Sequence, residues 1–461
     1  MKPIHQYRQA YFLGVGGIGM SAICRYLKAI GIRVGGYDKT QTQLTTELVK
    51  LGIEITFNDE VTYLPKWISN NLDETLFIIT PAIPKNHPQK IWLETQGVTL
   101  YKRSEILGLI TQNTICLAVA GTHGKTTTST LLAHILKELN WDFSAFLGGI
   151  SSNYGSNYIY NSSSKKFNNT HITVVEADEF DRSFHRLYPN AAIITAIDAD
   201  HLDIYHTKDA FEEAFRIFAQ QVKKSPQPHL FVNSELNWPK NGNHYYGFDS
   251  HADYHLSDVK IKNNSYTFSL KHDNQIYQFI AGLPGYHNVL NACACIALCH
   301  GYLGISMEEL IEPISNFKGV KRRFEYLVNN PSGIVIDDYA HHPEELNMII
   351  NSVKDLYPKS EVTGIFQPHL FSRTQDFAQE FAVALDKLDK VFLLDIYPAR
   401  EQPIPGVTSE FLKSLMTLKN AEVISKEGAI QAIEENKPDV LLILGAGDID
   451  TLREPIIDIY E

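Results

Sequence analysis

No disulfide framework can be drawn from the five cysteines of this 461-residue chain, Cys24, Cys116, Cys293, Cys295 and Cys299: the number is odd and three crowd into one stretch. On a helix, Cys293 and Cys295 would fall about 200° apart, which excludes a shared metal and leaves them as small apolar core residues. Thiols of this kind suit a reducing compartment. Long apolar runs are also missing. No stretch approaches the ~18 consecutive apolar residues of a membrane span, and the first ten residues hold no apolar segment of leader length, so a cytoplasmic protein with no membrane partner is expected. Positive charge is in deficit, with Lys+Arg 41 against Asp+Glu 53 and a formal net charge of -12, which argues against nucleic acid as a partner. A local anion pocket is compatible with that balance. Hydrophobic residues at 44% and charged residues at 20% are those of a globular chain, and the length allows about three domains.

A missing glycine marks the stretch that organises the rest. In Ile115 to Leu132, ICLAVAGTHGKTTTSTLL, an apolar run stops at Gly121-Thr122-His123-Gly124-Lys125-Thr126, and apolar residues at helical spacing resume from Thr127. Strand, tight loop and helix N-terminus in that order make a phosphate cradle: glycines turn backbone N–H groups toward an anion and the helix dipole favours negative charge. Lys125 can reach a terminal phosphate and the Thr126 hydroxyl can bind Mg2+. The generic loop has glycine where this chain has Val119; Gly121 comes later. An ordinary turn with a capping threonine is the alternative, and the order of elements favours nucleotide binding.

Ahead of this stretch, a strand at Tyr11 to Leu13 runs into Gly14-Val15-Gly16-Gly17-Ile18-Gly19, then a helix from about Met20 to Ile30 and a strand ending at Asp38. Gly16, Gly17 and Gly19 permit a diphosphate close to a helix N-terminus, and Asp38 can accept from a ribose hydroxyl; any dinucleotide or UDP-sugar would satisfy the pattern. Thr80, Pro81 and Ala82 form a stiff loop at the carboxyl end of a strand at Leu76 to Ile79. Behind it, Ser151 to Asn169 reads as a mobile loop. Strands at Ile172 to Val175 and Ala191 to Ile197 end in EADEFD and DADHLD. Mg2+ prefers such oxygen-rich ends. Glu176 and His201 are the pair expected to face the phosphate loop, with Asp178 and Glu179 as solvated loop charges. Short alternating runs from Asp253 to Ala281, with turns at Asn263-Asn264 and Asp273-Asn274, predict a small antiparallel sheet attached to the parallel one. His287, Asn288 and Asn291 then open a helix, where Asn288 could equally be a cap. From Gly333 the α/β alternation repeats, and its strands end in DDYAHHP, FQPHLFSR, DIY and GAGD. The expected architecture is α/β in three domains: residues 1–112 Rossmann-like, 113–318 phosphate-loop ATPase-like with the small antiparallel sheet, and 319–461 Rossmann-like again.

The motifs GVGGIGMS, TPAIP, AGTHGKTTT, EADEFDRSF, DADHLDIY, GYHNVLNA, KRRFEY, DDYAHHP, FQPHLFSRT and GAGDI, in this order over essentially the whole length, resemble the Mur ligase family. The family uses its own short phosphate loop, which accounts for Val119. The resemblance implies ATP and Mg2+ as cofactors and UDP-N-acetylmuramate and L-alanine as partners, joined through an acyl phosphate, in a monomer or weak homodimer. It implies that Gly16, Gly17, Gly19, Asp38, Thr80, Pro81 and Ala82 bind the UDP-sugar. It implies ATP at Gly121, Thr122, His123, Gly124, Lys125, Thr126 and Thr127 and at His287, Asn288, Asn291, Arg323 and Asp338. Metal falls to Thr126, Glu176 and His201, the amino acid to Tyr339, His341 and Arg373, and catalysis to Lys125, Arg323, Asp338 and His341. Two departures stand out. Many relatives have arginine where this chain has Leu370, which leaves Arg373 to recognise the carboxylate, and siblings carry a carbamoylated lysine where the nearest equivalent is Phe215. Rival readings are a ligase adding a whole tripeptide to the same sugar, an NAD-dependent oxidoreductase built on the glycine loop and Asp38, and a non-catalytic nucleotide-binding regulator.

Overall fold

Three sheets carry the alternation of strands and helices. The computed structural model describes residues 2–198, 202–205, 207–225, 229–239, 242–262, 265–399 and 401–461, with all their side chains but those of Ser69, Asp181, Leu202 and Asp203. In the first sheet, β1 (Gln9–Leu13), β2 (Arg33–Tyr37), β3 (Glu54–Thr56), β4 (Thr75–Ile79) and β5 (Leu100–Lys102) run parallel in the order β3-β2-β1-β4-β5. Ala10 to Leu13 are fully or almost fully buried, as a parallel strand covered on both faces demands. Strand order reverses between β1 and β4, and such a reversal opens a crevice at the carboxyl ends of the two strands. Gly14 and Thr80 face each other there. Gly14 has φ +88°, and a Cβ on it would strike the Thr80 methyl.

The second sheet has ten strands: β6 (Ile115–Ala120), β7 (Phe143–Ser151), β8 (Ser156–Asn161), β9 (Ile172–Ala177), β10 (Ala191–Ile194), β11 (His229–Asn233), β12 (His244–Gly247), β13 (Tyr254–Lys262), β14 (Ser265–His272) and β15 (Gln275–Ile280). Their order is β15-β14-β13-β12-β11-β10-β6-β9-β7-β8, with β6 parallel to both β9 and β10. The alternating run after Asp253 is continuous with this sheet through a parallel β12–β13 pair. Asp273 and Asn274 turn with φ 47° and 64° as the sequence predicts; Asn263 and Asn264 lie outside the described residues.

The stretch expected as a mobile loop, Ser151 to Asn169, is instead partly sheet. β8 pairs antiparallel with β7 and alternates buried Asn157 and Ile159 with more exposed neighbours. Its polar composition hid a strand because the buried face is held by hydrogen bonds: the Asn157 amide donates to the Ile18 carbonyl at 2.5 Å and to Ser21 Oγ at 2.8 Å.

In the third sheet, β16 (Glu325–Asn330), β17 (Gly333–Asp338), β18 (Val362–Phe366), β19 (Lys390–Leu393), β20 (Ala421–Val423) and β21 (Val440–Leu444) take the order β16-β17-β21-β18-β19-β20. Only the β16–β17 pair is antiparallel among the described pairs of this sheet. Chain contacts gather into two compact units, one of Met1–Ser257, Ser269–Gln278 and Leu290–Phe317, the other of Asp258–Phe268, Phe279–Val289 and Lys318–Glu461. All five cysteines are free and buried, as core residues. Among the described residues no helix is long and apolar enough to cross a membrane.

Asn157→Ala would remove both hydrogen bonds between β8 and the helix Ile18–Ala29, leaving the Ile18 carbonyl and Ser21 Oγ bonded to each other, so a loss of about 1–3 kcal/mol in urea unfolding is expected, roughly 0.5–1.5 for each bond. A loss within ~0.3 kcal/mol would show that the amide does not hold the two together.

Candidate active site

Strand, tight loop and helix follow in the order that the sequence predicts. β6 ends at Ala120, and the helix Lys125–Glu138 starts after Gly124, which sits in the left-handed region at φ 78° and offers no side-chain cap. That uncapped start leaves N–H groups free to meet an anion. Gly121, at φ 140°, has no room for a side chain against Thr195, and a Cβ on Gly124 would lie 2.6 Å from Asn291 Oδ1. Asn291 is thereby placed against the loop. Thr122 accepts from the Asp198 N–H at 3.2 Å, and the His123 carbonyl accepts from Thr195 Oγ1 at 2.5 Å. Thr127 is buried in the first turn.

Parallel register sets Val119 opposite Glu176. The Thr126 hydroxyl donates to Glu176 Oε1 at 3.1 Å, while Glu176 Oε2 accepts from the Gly148 N–H at 3.0 Å. Burial raises the Glu176 carboxyl, opposed by Lys125 and by the Thr126 hydrogen bond. A carboxylate and a hydroxyl this close are a hard-oxygen donor pair, which fits a Mg2+ ion. His201, their expected companion, lies outside the described residues.

Glu179 corrects the expectation of a solvated loop charge. It is 1% exposed, and the Lys125 ammonium donates to its Oε1 at 2.7 Å. Burial pulls the Lys125 proton affinity down, but Glu179, Glu176 and Asp178 outweigh it and keep the ammonium charged. Spacing alone hid this role, because a short 3-10 turn over Phe180–Arg186 tucks Glu179 back under the loop, where Tyr205 OH also holds its carbonyl at 2.5 Å. Asp178, half exposed, pairs with Arg103 Nη2 at 3.4 Å.

At the first sheet, Asp38 Oδ2 accepts from the Gly16 N–H at 2.7 Å and so closes the glycine loop. The helix Ile18–Ala29 again starts without a side-chain cap, at Gly17. Arg103, which the sequence reading missed, reaches the same place: a Cβ on Gly19 would meet its Nη1 at 2.6 Å. Its position after β5, at the carboxyl edge of that sheet, is the signal that could have found it. Thr80 donates its N–H to the Leu13 carbonyl at 3.1 Å, with Pro81 and Ala82 exposed beyond it.

In the second unit, burial lowers the His287 pKa to about 4, with Arg323 adding to the effect, so its ring is neutral at pH 7. Asn288 donates its amide to the Pro284 carbonyl at 2.6 Å. Arg322 and Phe324 both have positive φ, 61° and 48°, on either side of Arg323. Asp338 holds this loop, its Oδ2 accepting from the Phe324 N–H at 2.7 Å and its Oδ1 from the Ala340 N–H at 2.8 Å. The Arg322 and Arg323 guanidinium carbons lie 5.1 and 5.2 Å from the Tyr339 ring centroid. His341 packs edge-on to Tyr339 and to His369, and the proximity of His341 and Arg373, after burial, brings the His369 pKa to about 4. Leu370 carries φ 71° at the head of the helix bearing Arg373.

Burial raises both Asp337 and Asp338 to about 6, against Arg322 and Arg453 for the first and Arg323 for the second. Unfolded, each titrates near 3.9. The folded chain therefore keeps protons that the unfolded chain releases, so this contribution to stability is full below about pH 4 and is lost as pH rises through about 6. In Asp338→Asn the decline in Tm between pH 4.5 and pH 6.5 should be shallower than in the wild type; equal slopes would count against a buried, raised Asp338.

Family models match in sequence along the chain: the Mur ligase family catalytic domain at residues 9–114, the Mur ligase middle domain at 119–299 and the Mur ligase glutamate ligase domain at 322–447. The chain is 45% identical over 450 residues to a UDP-N-acetylmuramate--L-alanine ligase of Christiangramia forsetii, covering 97% of each, and 42% identical to one of Parabacteroides distasonis, covering 99% of this chain and 98% of the relative. Among solved structures it is similar to the UDP-N-acetylmuramate-alanine ligase of Thermotoga maritima, with TM-score 0.80 and 28% identity over 98% of this chain and 99% of that one. A murein peptide ligase of Psychrobacter arcticus shares the fold at TM-score 0.69 and 20% identity, covering 98% of each. The chain belongs to the Mur ligase family.

Proposed function

We propose that this protein joins L-alanine to the lactyl carboxylate of UDP-N-acetylmuramate, converting ATP to ADP and phosphate, in peptidoglycan synthesis. The reading is carried by one observation: Lys125, Thr126 and Glu176 converge on a phosphate cradle in a chain whose relatives, at 45% identity over 97% of its length, are ligases of that name. Residues 1–112 take the UDP-sugar, 113–318 the nucleotide and 319–461 the amino acid. The tripeptide-adding alternative is matched by solved structures at only 20% and 22% identity, which speaks to fold. Asp38, on which the oxidoreductase reading leaned, is engaged by the glycine loop itself.

A carboxylate is a poor electrophile, so it is first phosphorylated. Mg2+, when bound, spreads charge over the transferring phosphoryl group. Thr126 and Glu176 supply oxygen donors for it, with His201 as their companion. Lys125 neutralises the terminal phosphate through positioning and charge rather than covalent chemistry, and Arg323 is the catalytic cation of the second unit. The uncapped helix start at Gly17 and the Arg103 guanidinium suit the diphosphate of the sugar nucleotide, with Gly16, Gly19, Thr80, Pro81 and Ala82 lining its path. Neutral His287, beside Asn288, offers one donor and one acceptor to adenosine. Arg373 holds the alanine carboxylate near Tyr339, and His341 takes the proton that the alanine ammonium must lose before it attacks.

Phosphate release should require ATP, Mg2+ and UDP-N-acetylmuramate and run faster with L-alanine than with glycine, L-serine or the tripeptide. Release that responds to the tripeptide alone, or a change in nicotinamide absorbance, would overturn the reading. His341→Ala should slow turnover at saturating alanine by ~100-fold; unaltered turnover removes His341 as the proton acceptor.

A further inference from the structure

One edge of the His341 ring is fixed. Nδ1 lies 2.9 Å from the Tyr339 carbonyl oxygen and 3.2 Å from Glu345 Oε2, and that same carboxylate oxygen accepts from the His341 backbone N–H at 3.0 Å. A carbonyl cannot donate a hydrogen bond, nor can a carboxylate, so the ring proton must sit on Nδ1. The lone pair of the neutral imidazole is then on Nε2. Glu345 occupies the first turn of the helix Pro343–Leu356, where the helix dipole favours its negative charge. Its other oxygen accepts from Arg323 Nη1 at 3.4 Å.

We propose that Glu345 is a positioning residue for amide formation: with the Tyr339 carbonyl it fixes His341 as the Nδ1–H tautomer, presents Nε2 to the incoming ammonium and balances the imidazolium that results. This rests on the reading of His341 as the proton acceptor. The ammonium gives one proton to Nε2, and the freed lone pair forms the C–N bond. As the C–O bond to phosphate breaks, the second amine proton leaves with the phosphate, and the imidazolium returns its proton to solvent. The other groups around the ring would not do this work. Arg323 is a cation, the Tyr339 ring meets the imidazole in a T-shaped contact, and His369, 5.8 Å away between centroids and close to Arg373 and Glu401, stays neutral.

A purely structural role is the competing account, since a glutamate in the first helical turn that reaches back to a backbone N–H also caps the helix. Glu345→Gln separates the two. It keeps an acceptor for the backbone, but its amide can donate to Nδ1 and admit the wrong tautomer, as a carboxylate-to-amide change does in a Ser-His-Asp triad. Hydroxylamine provides the control, because it is an unprotonated nucleophile at neutral pH and traps the acyl phosphate as a hydroxamate without a base. In Glu345→Gln, turnover with saturating L-alanine should fall by ~100-fold, at least ~10-fold more than hydroxamate formation from UDP-N-acetylmuramate and ATP. Glu345→Asp, which retains the charge, should recover part of the alanine rate, and its loss should again be larger with alanine than with hydroxylamine. Equal losses in the two assays, in either variant, would assign Glu345 to Arg323 or to the helix start and overturn the proposal, as would no loss at all. A wild-type protein that makes hydroxamate but releases no phosphate with alanine would instead bring down the functional reading on which it rests.

Discussion

A lysine ammonium withdrawn from water stays charged only if an anion is withdrawn with it. Lys125 and Glu179 are such a pair, with side chains 13% and 2% exposed and 2.7 Å apart. The loop after β6 depends on this contact, since without it Glu176 and Asp178 alone would have to offset the desolvation of the ammonium. The pair also explains why acidic residues gather at the end of β9. Glu179 holds the lysine, Glu176 holds the Thr126 hydroxyl, and Asp178 reaches across to Arg103 beside the glycine loop of the first sheet. One short segment thus aligns two uncapped helix starts within a single compact unit.

The second unit solves a related problem with backbone rather than charge. Arg323 must project from a turn, and it does so because its two neighbours adopt left-handed conformations that cost non-glycine residues about 1–2 kcal/mol each. Asp338 repays that strain by accepting from backbone N–H groups on both sides, of Phe324 and Ala340. Arg322 is anchored through a 2.6 Å bond to the Gly445 carbonyl. The arginine side chain is mobile by nature, but its root is fixed to the sheet.

Much of this was legible in the chain. β6, β9, β17 and β21 stand out as apolar runs because parallel strands are buried on both faces, and the loops at their carboxyl ends carry the polar motifs. The glycines of the loop after β6 were legible for the same reason that they are there, since Gly121 and Gly124 take conformations that other residues rarely adopt. What escaped was polarity that acts through burial. β8 looked like a loop because its buried face includes an asparagine, and Glu179 looked solvated because nothing in its spacing tells that a 3-10 turn returns it to Lys125. Arg103 was missed because its partners, Gly19 and Asp178, are distant in sequence and meet only once two sheets pack within one unit.

The Asn157 amide ties the β7–β8 hairpin of the second sheet to the first turn of the helix Ile18–Ala29, through the carbonyl of Ile18 and the hydroxyl of Ser21. Exchange of segments between family members therefore has a natural seam elsewhere than at residues 114–119, where the first family match gives way to the second. A chimera that imports residues 1–112 from a relative inherits a helix start fitted to the relative's own hairpin, so the modular unit for recombination is residues 1–112 together with β7 and β8. The chain boundary and the transplantable boundary are different lines.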